Sequence, residues 1–367
     1  MTVRTIERTP SAYDYPLLIK RLLRPALRYA PHQEIRYRDK VRYTYQALEK
    51  RIAQLAGALK QLGVHQGETV SVMEWDSHRY LECFFAIPMM GCVLHPVNIR
   101  RTSESLIHTI NHAESRFILA NADFIPVLES IQDQFKSPKT IILLTDDDVF
   151  PETSLRVTGE YESMLSQHSG VFDFPDFDEN AMAAIFYSTG ATATPKGVCF
   201  SHRQLVMHTY GIMAGLCSYG FHPSVNAADV YMPLTPMFHV NAWSLFYLFT
   251  LLGAKQVYPG KYDPKRILKL IAEEKVSFSH CDTPLLHTLV NCPGIRDAGI
   301  SGWKVIVGGA PLPKSVCRTA LSLGIDLCSV YGMAETGPML AAALLKPDML
   351  GWDIERQVEV RCRTGLP

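Results

Sequence analysis

Apolar positions along this chain alternate between two periods. Leu48, Ile52, Leu55, Leu59 and Leu62 step by four and three, the spacing of one helical face, with Thr44 placed to cap the start and Gly63 to end the run. Residues 68–73 then alternate as a strand. Residues 79–90 predict a helix with Pro88 near its end, 92–97 a strand, 103–112 a helix and 117–120 a strand. The short apolar run 141–144 is typical of a buried parallel strand.

Residues 157–179 are polar, acidic and proline-containing, and predict a linker. A second series follows: a strand at 182–187, a Gly/Thr loop, and a helix at 202–216. Asp263 and Pro264 form a cap and first turn for a helix ending near Glu274. Strands at 276–280, 303–307 and 325–331 and a helix at 312–323 complete it. Strands alternating with helices imply a largely parallel, helix-covered sheet. The expected organisation is two α/β subdomains, residues 1–175 and 176–367, within one unit.

Composition narrows the class. At 367 residues, 47% hydrophobic and 20% charged, the chain can bury a sizeable core. Its formal net charge of zero argues against a protein held on nucleic acid by bulk charge. The nine cysteines are scattered, with no C-x-x-C pair, which points to reduced thiols and a cytoplasmic setting rather than zinc or disulfides. The polar N-terminus is not a signal peptide, and the longest apolar stretch, 242–254, is too short to span a bilayer. Peripheral membrane contact and a homodimer stay open.

Four segments could carry chemistry. Tyr187–Gly197 (YSTGATATPKG) offers the hydroxyls of Ser188, Thr189, Thr192 and Thr194, close backbone approach at Gly190 and Gly197, and the charge of Lys196, after a strand and before a helix. Wrapping a polyphosphate requires these features. Pro195 rules out a Walker A loop. Taken alone the string is equally a polar surface turn. Tyr331–Gly337 (YGMAETG) follows a strand, where open parallel sheets bind ligands, and contains a base-stacking candidate in Tyr331 and an Mg²⁺ candidate in Glu335. Gly308–Pro311 (GGAP) permits a flat ligand against the backbone. Pro236–His239 (PMFH), followed by Trp243, Phe246 and Phe249, could line an acyl pocket. Each of these three, in isolation, reads more readily as a strand-end turn or a core segment.

In this order the four segments resemble the adenylate-forming superfamily, which includes acyl-CoA synthetases, peptide-synthetase adenylation domains and luciferases. Residues 232–240 (MPLTPMFHV), 256–260 (QVYPG) and 276–281 (VSFSHC) look like its medium- and long-chain fatty-acid–CoA ligases. The resemblance runs from about Tyr43 to the last residue. It implies the two packed, helix-covered sheets of the large N-terminal domain of that superfamily. It further implies ATP-dependent activation of a fatty acid to an acyl-adenylate, then transfer to CoA. Carried over by position, Ser188, Thr189, Gly190, Ala191, Thr192, Ala193 and Lys196 would hold the triphosphate. Ser188 and Glu335 would stand near Mg²⁺. Gly309, Ala310, Tyr331 and Gly332 would surround adenine, and Thr336 would touch the α-phosphate. His239 would sit by the carboxylate, with Trp243 near the acyl entrance.

The chain departs from that pattern in two places. Alanine stands at 191, where the family has a hydroxyl residue, and at 193, where it has glycine. A Cβ in a left-handed conformation at 193 would cost roughly 1–2 kcal/mol. Residues 363–367 (RTGLP) resemble the run-in to a small β-barrel subdomain, and the family's Thr-Gly-Asp segment and lysine-bearing C-terminal domain do not follow. The expectation is weak or absent complete ligase activity, with two alternatives: a non-catalytic nucleotide- or acyl-binding remnant, or adenylation of another carboxylic acid. An amino-acid substrate is disfavoured, because no acidic residue between Leu234 and Leu252 could clamp an amino group.

Overall fold

A computed structural model describes residues 4–7, 9–137, 139–147, 150–188, 194–239, 244–337 and 339–367. In chain order the strands are β1 (Glu34–Tyr37), β2 (Val41–Thr44), β3 (Thr69–Met73), β4 (Val93–Pro96), β5 (Phe117–Asn121), β6 (Thr140–Leu144), β7 (Val157–Glu160), β8 (Met182–Ser188), β9 (Lys196–Ser201), β10 (Val230–Leu234), β11 (Lys255–Tyr258), β12 (Phe278–Asp282), β13 (Lys304–Gly308), β14 (Asp326–Tyr331) and β15 (Ala341–Ala342). They form an eight-stranded sheet, β15-β14-β13-β12-β10-β11-β1-β2, and a seven-stranded sheet, β7-β6-β5-β3-β4-β8-β9. Neighbours are parallel except for the antiparallel pairs β14–β15, β1–β2 and β8–β9. The chain thus passes twice between sheets, so sheet membership does not follow a division at residue 175.

Local chemistry explains the elements that periodicity predicts. The helix Tyr45–Gln61 starts where the Thr44 side chain accepts the Ala47 N–H, and it buries Leu48, Ile52, Leu55 and Leu59. The helix Pro264–Glu274 is capped by Asp263, which accepts from Arg266 N–H at 2.7 Å. Ser201 and Gln204 form a capping box at the start of the helix His202–Cys217.

Two expectations need correction. The predicted linker begins as structure: β7 pairs with β6, and the helix Tyr161–Ser166 buries Tyr161 and Leu165. Its polar composition reflects a strand at the sheet edge. The Gly/Thr loop is followed not directly by a helix but by β9, which returns antiparallel along β8 before the helix begins.

One core serves both sheets. Val70, Leu94 and Phe117 of the seven-stranded sheet share a buried cluster with Tyr231, Phe278 and Ile306 of the eight-stranded sheet. The helices His78–Met89 and Leu245–Leu251 lie in this seam and are buried all round. Phe84 and Phe246 meet at 4.5 Å between ring centroids, and Tyr247 donates to the Phe84 carbonyl at 2.8 Å. All nine cysteines are free. No helix among the described residues is long and apolar enough to cross a membrane.

Candidate nucleotide site

The carboxyl ends of β10, β12, β13 and β14 lie side by side, because these strands are parallel neighbours. That edge is where an open parallel sheet presents its turns to a ligand. A cavity of about 390 Å³ opens there, lined by Thr235 and His239 after β10, Asp282 at the end of β12, Gly309 and Ala310 after β13, and Gly332 after β14. Thr283 Oγ1 donates to the Ala310 carbonyl at 3.0 Å and fixes that turn. Gly309 has φ +81°, and a Cβ built on it would meet nothing within 4 Å. The position therefore favours glycine for its left-handed backbone, not for lack of space.

The seven-stranded sheet reaches the rim beside this cavity through one hairpin. Ser188, the last residue of β8, is paired across the antiparallel ladder with Lys196, the first of β9. The Ser188 hydroxyl donates to Glu335 Oε1 at 3.4 Å. Glu335 lies in the single turn Ala334–Thr336 after β14, so the strand pair that carries Lys196 meets the turn that carries Glu335 through Ser188, from different sheets. Both are exposed. The hairpin is anchored from behind by His108, whose Nε2 lies 3.2 Å from the Pro195 carbonyl oxygen, and by His112, whose Nδ1 lies 2.8 Å from the Tyr187 hydroxyl.

Thr336 is occupied within its own turn: its hydroxyl accepts from Met333 N–H at 3.0 Å and donates to the Met333 carbonyl at 3.1 Å. Gly337, φ +74°, ends the turn. Tyr331 is 44% exposed beside it. His239 closes a turn of its own, donating its N–H to the Pro236 carbonyl at 2.8 Å. Burial, with the charges of Arg100 and Arg101 beside it, lowers its imidazole to about 4, so the ring is neutral at pH 7.

Thr189, Gly190, Ala191, Thr192, Ala193 and Trp243 lie outside the described residues. Phe246 and Phe249 are fully buried. Phe246 packs on Phe84, and Phe249 stacks on Tyr231 at 4.2 Å, so both belong to the core. An apolar cavity of about 340 Å³ stands elsewhere, between the helix His202–Cys217 and residues 339–344, lined by Ile212, Leu216, Tyr219, Phe221 and Met339 among others. Met339 borders both cavities. Periodicity reads Ile212 and Leu216 as core, and nothing local marks them as pocket walls. Asp282 and Thr235 were also missed, being short polar residues at strand ends.

Turns at the ends of parallel strands line a cavity, and a polar hairpin meets them at its rim, the place where an open α/β sheet takes a ligand. The chain belongs to the AMP-binding enzyme family, whose model matches residues 23–361. It is 33% identical over 331 residues to the long-chain-fatty-acid–CoA ligase of Thermus thermophilus, covering 89% of this chain and 58% of that one. It is 30% identical over 361 residues to the medium-chain-fatty-acid–CoA ligase of Ectopseudomonas oleovorans, covering 96% and 65%. The chain therefore spans less than two thirds of either relative. Among solved structures, an anthranilate CoA ligase in complex with anthranoyl-AMP superposes with a TM-score of 0.79 at 16% identity, covering 96% of this chain and 63% of that one. A long-chain-fatty-acid–CoA ligase from Archaeoglobus fulgidus superposes with a TM-score of 0.78 at 19% identity, covering 100% and 72%. At such identities these likenesses establish the fold, that of two helix-covered sheets.

Proposed function

We propose that this chain forms the nucleotide- and acyl-binding part of an ATP-dependent fatty-acid–CoA ligase. The observation that carries the reading is the Ser188–Glu335 hydrogen bond, which closes the polar hairpin against the strand-end turns beside the cavity. In this reading Ser188 and Lys196 grip the triphosphate, and adenine lies by Gly309, Ala310, Tyr331 and Gly332. The fatty-acid carboxylate stands by neutral His239. A carboxylate oxygen bonds to the α-phosphorus as the α–β bridging bond breaks, releasing pyrophosphate and leaving an acyl-adenylate. CoA thiolate then attacks the acyl carbon and displaces AMP. Such chemistry depends on positioning and charge neutralisation more than on a protein nucleophile.

The apolar cavity that shares Met339 with the nucleotide cavity supports an aliphatic tail, since each buried CH₂ gains about 0.8 kcal/mol. Ser188 and Glu335 offer hydroxyl and carboxylate oxygens, the donors Mg²⁺ takes when phosphates and water complete its shell, and the ion would offset the charge on pyrophosphate. The test is calorimetry of Mg-ATP binding, followed by fatty-acid-dependent ATP–pyrophosphate exchange, with acyl-CoA formation assayed separately. Saturable ATP binding, weak exchange that depends on an aliphatic acid, and little or no acyl-CoA formation are expected. ATP binding with no exchange for any acid would favour a binding-only protein, and no nucleotide binding would overturn the proposal.

A further inference from the structure

The loop leaving β3 carries a carboxylate with no part in the chemistry above. Asp76 is 2% exposed. Its partners are hydrogen-bond donors rather than a cation: Met237 N–H donates to Oδ1 at 2.8 Å and the Tyr262 hydroxyl to Oδ2 at 2.5 Å. Its own carbonyl accepts Gly260 N–H at 2.8 Å. All three donors ride on the eight-stranded sheet. Met237 lies in the turn between β10 and His239, while Gly260 and Tyr262 follow β11. Asp76 itself follows β3 of the seven-stranded sheet, which also carries Ser188 and Lys196.

Burying a carboxyl whose direct partners are neutral donors is costly, and the charge of Arg100 offsets that only in part. Burial pushes this one up to about 7. An apolar residue would pack the seam at lower cost, but it could not accept the Met237 N–H. That amide sits in a turn whose last described residue, His239, faces the cavity.

We propose that Asp76 is a positioning residue: it ties the turn 235–239 to the seven-stranded sheet and so sets where His239 stands relative to Ser188 and Lys196. The consequence for binding rests on the function proposed above; the tether itself does not. A ligand reaching from the phosphate hairpin to His239 should feel loss of the tether, whereas AMP alone should not.

The experiment compares wild type with Asp76→Ala, Asp76→Asn and Tyr262→Phe. Two probes are titrated, AMP and a non-reactive decanoyl-adenylate analogue with a sulfamate in place of the phosphate, and amide hydrogen exchange is followed at Met237. Asparagine keeps an acceptor for Met237 and can donate to Tyr262. In Asp76→Ala the analogue should bind at least tenfold more weakly while AMP affinity changes less than threefold, and the Met237 amide should exchange faster. Asp76→Asn should restore both readouts, and Tyr262→Phe, which keeps the Met237 bond, should change the analogue's affinity less than threefold. Should the alanine variant not fold, Asp76→Glu takes its place, because a longer side chain displaces the turn. Equal losses for AMP and analogue, or no rescue by asparagine, would overturn the proposal. If wild type binds neither probe, the functional reading fails, and Met237 exchange still decides the tether: rates unchanged by Asp76→Ala would overturn it.

Discussion

In the seam between the sheets, Phe84 and Phe246 face each other at 4.5 Å and neither is exposed. A few strands away, at the rim of the candidate site, Lys196 and Glu335 are exposed, and a 3.4 Å hydrogen bond runs from Ser188 to Glu335. In the seam the contacts are made within the protein, as where the Tyr247 hydroxyl donates to the Phe84 carbonyl. At the rim, hydrogen-bonding capacity is left for something else. The seam holds the sheets together, and the rim uses their fixed spacing. Substitutions should divide the same way, moving stability in the seam and ligand affinity at the rim.

The largest expected effect is in the seam. Phe84→Ala should cost about 3–5 kcal/mol in urea unfolding, from lost burial and a residual cavity. Because one core spans both sheets, wild type should unfold in a single transition by far-UV and tryptophan signals alike. Two separated transitions would contradict the shared core.

Acid comes next. Burial lowers the imidazoles of His78, His95, His202, His208, His239 and His280, with His202, His208 and His239 near 4 and His95 and His280 near 3. As pH falls below about 6.5 the unfolded chain takes up protons that the folded chain refuses, so their contribution is intact above 6.5 and lost towards 4. Glu74 and Asp76, both pushed up to about 7 by burial, act in the opposite sense, since the fold holds their protons first. The histidines outnumber the carboxyls, and each unmatched proton is worth roughly 1.4 kcal/mol per pH unit. Stability should therefore fall steeply between pH 6.5 and 4 in a denaturant series. A flat profile there would show that these rings are not held neutral.

At the rim, Lys196→Ala should weaken Mg-ATP binding by roughly 10- to 100-fold, the worth of one charge-assisted contact, with unfolding unchanged. An equal loss of stability would place Lys196 in the seam's class. The smallest effect expected is for Met339→Trp, which should crowd the position that borders both cavities and lower fatty-acid affinity several-fold, leaving ATP affinity within about twofold.

What could be read from the sequence follows the same division. Elements with one wet face announced themselves: Leu48, Ile52, Leu55 and Leu59 gave the helix Tyr45–Gln61, and the turn residues around Gly309 and Glu335 stood out as polar or glycine-rich strings after apolar strands. Elements buried all round were read unevenly: the helix His78–Met89 and the strand Phe117–Asn121 were expected, the helix Leu245–Leu251 was not. Every residue of Leu245–Leu251 is buried, so no period distinguishes its helix from a strand or a pocket wall, and the phenylalanines assigned to an acyl lining belong to the core. Pro233 masked β10, although its parallel neighbours hold it in register with His280. The least legible part was the joining of the sheets. Asp76 reads as an ordinary loop aspartate, and its partners Met237 and Tyr262 are 161 and 186 residues away. The strings that grip a ligand are local, whereas what sets the distance between them is tertiary.

The measurement that bears most directly on the shared site is a crystal structure of the chain with Mg²⁺ and a non-hydrolysable ATP analogue. The account predicts phosphates between Lys196 and Glu335 and the base against Gly309 and Ala310, one molecule spanning both sheets. Nucleotide density that touches only one sheet, or that lies away from the Ser188–Glu335 contact, would contradict it.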